Sequence, residues 1–258
     1  MSYYFFVSGE ELQQEVVFLK DKNRQHLKSL RLAEGDLIVL SDGEGKACTA
    51  RIVSIDPRAA EAKIIGELET ETEPPLSVNL FVAIPKADKM ERIVRHAVEL
   101  GVNKIYPVIS DRTIVRIPKG KGREKSERWQ RIALSAAAQC RRSYIPAVSE
   151  PLHFAQMLPV LEGEELIIIP YEEEKEQFIR PLLDGFKGRP ASVAVFTGPE
   201  GGISPLEMEK LKEIPGAYPV SLGNRILRAE TAPLAVLSIL MFRWGDLGNK
   251  RGCCHHCL

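Results

Sequence analysis

The sequence predicts an α/β protein: a small β-rich domain followed by a larger domain built on a mostly parallel sheet. Three observations carry that reading. Short strand-like runs broken by turn residues fill the first 73 positions. Beyond them, apolar strands alternate with amphipathic helices, as in a parallel sheet covered by helices. Between the two textures, Glu67-Leu68-Glu69-Thr70-Glu71-Thr72-Glu73-Pro74-Pro75 interleaves acids with Thr and ends in a Pro pair. It cannot bury a core face and reads as a linker or an exposed edge strand. The expected domains are therefore 1–73 and 74–247, with a tail at 248–258. At 258 residues, 44% of them apolar, the chain can fill two cores.

In the first domain, residues 3–7, 37–40, 49–55 and 62–65 read as strands and 23–32 as a helix. Glu34-Gly35-Asp36 and Ser41-Asp42-Gly43-Glu44-Gly45 are turn chemistry between them, and a small barrel or sandwich follows. In the second, the strands are 78–84, 105–109, 166–169, 193–196 and 218–222. Asp88 and Glu91 have capping-box spacing ahead of the stripe Met90, Ile93, Val94 and Ala97, and Gly101 stops that helix. A second stripe runs through Trp129, Ile132, Ala133, Ala136, Ala137 and Cys140. Ser204-Pro205-Leu206-Glu207 supplies an N-cap, a proline at the first helical position and a Glu at the third. The last helix, 233–244, is apolar on nearly every side, so it is buried in the domain core or against a partner; the second case makes a homodimer.

Charge and cysteine bound the function class. The 35 Lys and Arg balance 35 Asp and Glu, which argues against a generic nucleic-acid coat protein. The balance hides local blocks, however. Residues 112–142 carry ten Lys or Arg against two Glu, and 162–176 carry seven Glu against one Lys. The basic block is either a solvated face or a phosphate-binding one, with Arg112, Arg116, Lys119, Lys121, Arg123, Lys125, Arg128, Arg141 and Arg142 as candidates for RNA-backbone contacts. The five Cys, an odd number, make no disulfide framework, so a reducing cytoplasm is expected. Met1-Ser2-Tyr3-Tyr4 lacks a basic secretion signal, and the apolar run 234–242 is too short for a bilayer and contains Ser238. The ligand types in Cys253-Cys254-His255-His256-Cys257 are too crowded for an ordinary structural zinc site, and no metal is expected.

In open parallel sheets, ligands bind beyond the carboxyl ends of the strands. Two strand ends here have unusual composition. Thr197-Gly198-Pro199-Glu200-Gly201-Gly202-Ile203-Ser204 lets backbone approach a ligand and leads at once into a capped helix with free N–H groups. Its spacing is neither a dinucleotide fingerprint nor a P-loop; a tight strand-to-helix turn is the plainer alternative. Leu222-Gly223-Asn224-Arg225-Ile226-Leu227-Arg228-Ala229-Glu230-Thr231-Ala232 crowds Arg225, Arg228 and Glu230 at the mouth of an apolar helix, where a dipole-complementing terminus is the alternative.

Taken together, these two loops resemble the signature pair of SPOUT-class methyltransferases, and more narrowly the ribosomal RNA small subunit methyltransferase E family. The resemblance extends to Pro85-Lys86-Ala87-Asp88-Lys89-Met90-Glu91, Asp111-Arg112-Thr113, Arg128-Trp129 and Gln139-Cys140-Arg141-Arg142, and to His26-Leu27 with Leu30-Arg31-Leu32. It implies a PUA-like RNA-binding domain and a SPOUT domain tied in a trefoil knot. It also implies S-adenosylmethionine as cofactor, a homodimer, and methylation of a uridine N3 in 16S rRNA of the small subunit. Carried onto this chain, Tyr171, Thr197, Gly198, Pro199, Glu200, Gly201, Gly202, Leu222, Gly223, Ile226, Leu227 and Arg228 would hold the cofactor. Arg228, Glu230 and Glu200 are the catalytic candidates: a cation for the uracil anion and two competing bases. His26 and Arg31 are RNA candidates in the first domain, where 14 acids face nine bases across residues 1–73 and recognition would rest on shape more than charge. Ser135-Ala136-Ala137-Ala138-Gln139, His96 and Asn224-Arg225 depart from the family's usual pattern. Another acceptor, such as a ribose 2′-hydroxyl, and a non-catalytic RNA-binding role stay open.

Overall fold

The computed structural model describes residues 3–118 and 120–248. Lys119 and the Cys/His tail lie outside the described residues. The chain forms two compact units, Met1–Glu73 with Ser135–Ile145, and Pro74–Leu134 with Pro146–Leu258.

The first unit is one five-stranded sheet and a helix. Its elements are β1 (Tyr3–Phe6), β2 (Val16–Lys20), α1 (Asp21–Ser29), β3 (Leu37–Ser41), β4 (Ala47–Ile55) and β5 (Ala59–Glu67). The strand order is β1-β3-β4-β5-β2, parallel between β1 and β3 and antiparallel elsewhere. Phe5, Val17, Leu19, Leu27, Ile38, Leu40 and Ile52 form its core. The strand β2 has no counterpart in the sequence reading. Its end does turn, at Asp21 with a left-handed φ of 47°, but Val16-Val17-Phe18-Leu19 is a continuous apolar run with no alternation to mark a strand. β5 starts three residues before the expected 62 because its opening alanines carry no strand preference, although Ala60 and Ala62 are fully buried.

Residues 135–145, read from sequence as part of the second domain, pack with the first unit. Ile145 N–H donates to the Gly43 carbonyl (2.8 Å), and Ser41 Oγ donates to the Ser143 carbonyl (2.9 Å). The 67–75 segment is neither a free linker nor an edge strand beyond Glu67. Leu68 N–H reaches the Ala47 carbonyl at 2.9 Å, and Glu73 receives the Arg142 guanidinium at 2.6 Å.

The second unit is a seven-stranded sheet, parallel throughout. Its strands are β6 (Ser77–Ala83), β7 (Lys104–Ile109), β8 (Ala147–Val148), β9 (Leu152–His153), β10 (Leu166–Pro170), β11 (Ser192–Thr197) and β12 (Ala217–Val220). The order is β12-β10-β11-β6-β7, with β8 and β9 both beside β7. Near-continuous apolar strands such as Leu166-Ile167-Ile168-Ile169 are what a sheet covered on both faces requires. The helices are α2 (Lys89–Glu99), α3 (Gly122–Cys140), α4 (Phe154–Leu161), α5 (Ile179–Gly185), α6 (Pro205–Lys212) and α7 (Ala232–Arg243).

On one face Phe81, Ile167, Ile169 and Phe196 pack with Met157 and Leu161 of α4 and Met208 and Leu211 of α6. α7 packs on β6, β11 and α2. The α2 stripe Met90, Ile93, Val94 and Ala97 is buried as its period predicts, but Asp88 does not cap. Its carboxylate instead takes Arg92 at 3.0 Å, a partner one turn along that competes for it. α4 and α5 went unread because they are short and each carries a proline, Pro159 and Pro181. α7 buries Val236, Leu237, Leu240 and Met241, while Phe242 is 74% exposed, so only one side belongs to the core. Among the described residues no helix is long and apolar enough to cross a membrane.

Candidate active site

The end of β11 and the end of β12 approach each other at the carboxyl edge of the sheet, where β10 lies between them. β11 finishes at Thr197, which is 2% exposed; its Oγ1 has no hydrogen-bond partner among the described residues. A buried hydroxyl is ordinarily paired, so a polar atom of a water or a ligand suits this position. The glycine loop follows directly. Gly202 turns in the left-handed region (φ 72°), its N–H donating to the Pro199 carbonyl at 2.9 Å. A Cβ on Gly202 would collide with the Glu172 carboxylate, and one on Gly198 would stand 2.9 Å from Ile203 Cγ1. Only glycine fits at either place.

The loop is then clamped. Arg112 Nη1 donates to the Gly201 carbonyl at 2.8 Å. Ser204 and Glu207 form the predicted capping box, and Glu207 also accepts the Asp111 N–H at 2.8 Å, tying the 110–112 turn to α6. From β12 the chain enters the second loop alongside the residues that follow β10. Tyr171 N–H donates to the Val220 carbonyl (3.0 Å), Ser221 N–H to Gln177 (2.8 Å) and Ile179 N–H to Ser221 (3.2 Å). Gly223 has φ 123°, and Ile226 is 88% exposed, an apolar side chain held in water at the site.

One ammonium joins the two loops. Lys89 Nζ, from the start of α2, lies 2.9 Å from Glu200 Oε1 and 3.2 Å from Glu230 Oε2. Lys86 N–H also donates to Glu200 Oε1 at 3.1 Å, across a turn in which Ala87 takes φ 57°. Burial would raise the Glu200 carboxyl. The hydrogen bond from Lys89, its own N–H and the Lys86 N–H outweigh it and hold Glu200 below the usual range. Glu230 behaves alike: burial opposes, while its own N–H, Lys89 and the charge of Arg228 bring it down. Lys89 is raised in return, chiefly by its hydrogen bond to Glu200 and its close ion pair with Glu230. Burial, then the bond to Glu173 (2.8 Å), pushes the Tyr171 phenol up to about 12, so it stays neutral near pH 7.

The structure therefore gathers most of the expected site. Thr197, Gly198, Pro199, Glu200, Gly201 and Gly202 line one loop, and Leu222, Gly223, Ile226, Leu227, Arg228 and Glu230 the other, with Tyr171 between. Lys89 was not anticipated in any role, although its motif was legible, and Glu207 was anticipated only as a cap, not as the acceptor for the Asp111 N–H.

The basic residues divide. Arg116 and Arg141 are exposed. Lys121, Arg123 and Arg128 pair with Glu124 (2.6 Å), Glu127 (3.0 Å) and Glu91 (2.5 Å), weak surface pairs that a polyanion can displace. Arg112 is committed to the glycine loop. Arg142 corrects the expectation of a phosphate contact: it is 4% exposed and held by Glu73, a structural role in the first unit. His26 and Arg31 are exposed on and just after α1, with the His26 ring edge-on to Phe5 at 5.3 Å. Among the described residues no group of three or more His, Cys, Asp or Glu side chains gathers to hold a metal.

Residues 72–241 match the family pattern of the RNA methyltransferase domain, and residues 19–65 that of the RNA methyltransferase PUA domain. A protein of Synechocystis sp. named Ribosomal RNA small subunit methyltransferase E is 34% identical, over 92% of this chain and 77% of its own. Its namesake in Bacillus subtilis is 29% identical, over 93% and 96%. Among solved structures, a Ribosomal RNA small subunit methyltransferase E from Neisseria gonorrhoeae bound to S-adenosyl methionine superposes with a TM-score of 0.86. It shares 34% identity, with 95% of this chain and 99% of that one covered.

Proposed function

The chain belongs to the ribosomal RNA small subunit methyltransferase E family, and on that premise we propose that it methylates N3 of a uridine in 16S rRNA with S-adenosylmethionine as donor. The observation that carries the proposal is the pair of loops at the ends of β11 and β12, bridged by Lys89 between Glu200 and Glu230. The site also suits the donor. The unpartnered Thr197 hydroxyl and the apolar Leu222, Ile226 and Leu227 match a ligand with polar edges and apolar faces. Leu222, Gly223, Ile226 and Leu227 would hold it from one side and the 197–202 loop from the other. When bound, S-adenosylmethionine supplies an electrophilic methyl group on a sulfonium.

The remaining work falls to this chain. Positioning of the acceptor provides most of the acceleration. Removal of the N3 proton leaves negative charge on the uracil, and a cation aimed there lowers the barrier. Arg228, exposed and near enough to act on Glu230, is that cation in our reading. Glu200 and Glu230 are kept ionised by Lys89 and are correspondingly weak bases, so they act first by fixing the two loops.

The run of residues 171–179 along both sides of Ser221 supports the threaded, trefoil-knotted arrangement of the SPOUT class. The exposed Phe242 on an otherwise apolar last helix is consistent with a homodimer formed through the C-terminal helix region, and the PUA domain with the exposed basic residues supports an RNA partner. The test is calorimetry with S-adenosylmethionine, then nucleoside analysis of 16S rRNA or small subunits treated with the purified protein. We expect 3-methyluridine; a methylated ribose would move the acceptor, and no cofactor binding would leave only an RNA-binding protein. Arg228→Ala should retain cofactor affinity and lose turnover, and full turnover would remove Arg228 from the chemistry.

A further inference from the structure

Residues 1–73 carry 14 acids against nine bases, but the two charges are not mixed. Five of the nine bases, Lys20, Lys22, Arg24, Lys28 and Arg31, lie in the segment 20–31, where Asp21 is the one acid. The rest of the stretch holds 13 acids and four bases. The segment is the end of β2, the helix α1 and the turn after it. It therefore carries most of the positive charge that this part of the chain can offer a polyanion.

The fold makes little use of these cations. Arg24 is the exception, its Nε donating to the Asp56 carbonyl at 2.9 Å. Lys20, Lys22, Lys28 and Arg31 are exposed and make no ion pair among the described residues. Two of them stand where helix physics disfavours a cation. Lys20 is the N-cap and Lys22 lies in the first turn, at the positive end of the helix dipole. Arg31 stands where any side chain is disfavoured. Its N–H donates to the Lys28 carbonyl (3.1 Å) and the Leu32 N–H to the Leu27 carbonyl (3.3 Å), closing the turn that ends α1. That turn holds residue 31 in the left-handed region, φ 56°, a position that glycine ordinarily fills. An arginine there strains the backbone, and its guanidinium makes no hydrogen bond among the described residues to offset the strain.

We infer that the solvent side of this segment, from Lys20 to Arg31, is where residues 1–73 hold the phosphate backbone of the substrate RNA. The inference rests on the proposed methylation for the identity of that RNA and deepens it by naming the surface. At nine residues α1 is about 14 Å long, enough to follow several successive phosphates of a strand. Ammonium and guanidinium groups on phosphate supply affinity and register but carry no sequence information, so the choice of nucleotide falls to other parts of the chain.

The test is the anisotropy of a labelled RNA hairpin titrated with the full-length protein over a salt series, without S-adenosylmethionine. Lys22→Gln with Lys28→Gln should weaken binding by about tenfold near about 0.1 M salt. It should also make the slope of log affinity against log salt shallower by nearly two, about one for each phosphate contact. Glutamine keeps the helix propensity of lysine, so circular dichroism and cofactor affinity should hold. Arg31→Gly should weaken binding without loss of thermal stability, a pairing that a purely structural arginine does not give. Lys46→Gln, exposed but outside the segment, should change neither affinity nor slope. In methylation assays the double variant should raise KM for RNA by a similar factor with kcat held. An affinity and slope unchanged in the double variant overturn the inference. So does an equal effect of Lys46→Gln, or polyglutamate competing as well as unlabelled RNA. The titration needs no methyl transfer. A protein that binds no S-adenosylmethionine would sink the methyltransferase reading while the salt series still decides the surface.

Discussion

A single ammonium at Lys89 stands between carboxylates from two different loops, 2.9 Å from Glu200 and 3.2 Å from Glu230. Without it two half-buried acids would face each other, and the repulsion would part the loops proposed to hold the cofactor. Lys89→Met should therefore weaken S-adenosylmethionine binding by about tenfold, roughly 1.4 kcal/mol, and Lys89→Arg should restore much of it, both by calorimetry. The pH dependence follows from the signs. Glu200 and Glu230 are lowered, so their contribution is complete above the unfolded carboxylate value and is lost as pH falls through the folded one. Lys89 is raised, so its contribution is complete below the unfolded lysine value and is lost as pH rises through the folded one. The contribution of these three groups to stability should be flat from about pH 5 to about pH 10 and fall on either side, as thermal unfolding across pH would show. A step near pH 7 would mean that another group controls the site. Lys89 was present in a legible motif, but its partners are more than a hundred residues away in sequence, and only the fold brings them to it.

At the scale of elements, α6 is the clearest case of local sequence dictating local structure. Ser204, Pro205 and Glu207 specify its start, and the capping box forms as written. Glu207 then reaches further than a cap, since it also accepts the Asp111 N–H at 2.8 Å. Glu207→Ala should cost about 1–2 kcal/mol in chemical denaturation, more than an ordinary cap at the exposed end of a helix, because two backbone donors, one buried and one partly buried, lose their acceptor. The central strands of the parallel sheet were equally legible, being unbroken apolar runs between helices with clear stripes. What was missed shares a physical cause. β2 is a short apolar run without alternation, the opening alanines of β5 have no strand preference, and α4 and α5 are too short for a 3.6-residue period to show around a proline. Asp88 was misread because capping-box spacing says nothing of the arginine one turn later.

At the scale of the molecule, a division near Glu73 was visible in composition, but the return of residues 135–145 to the first unit was not. That return rests on backbone hydrogen bonds to the 41–45 turn, which no hydrophobic pattern announces. The same limit applied to Arg142, a surface cation by type and a buried one by position. α7 shows the opposite situation. Its apolar sequence allowed a core or a partner, and the fold uses one side for the core and leaves Phe242 74% exposed on another. If the proposed homodimer forms through this face, Phe242→Glu should shift the mass from dimer to monomer in light scattering while leaving thermal stability within a few degrees; an unchanged mass would contradict an interface at Phe242.

The central claim is that two loops joined by Lys89 make this chain a uridine N3 methyltransferase of the small subunit. Mass spectrometry of nucleosides from 16S rRNA, in a strain lacking the gene and in the same strain complemented, tests it most directly. The account predicts that 3-methyluridine disappears with the gene and returns with it, and fails to return with Arg228→Ala. A 3-methyluridine signal indifferent to the gene would contradict it.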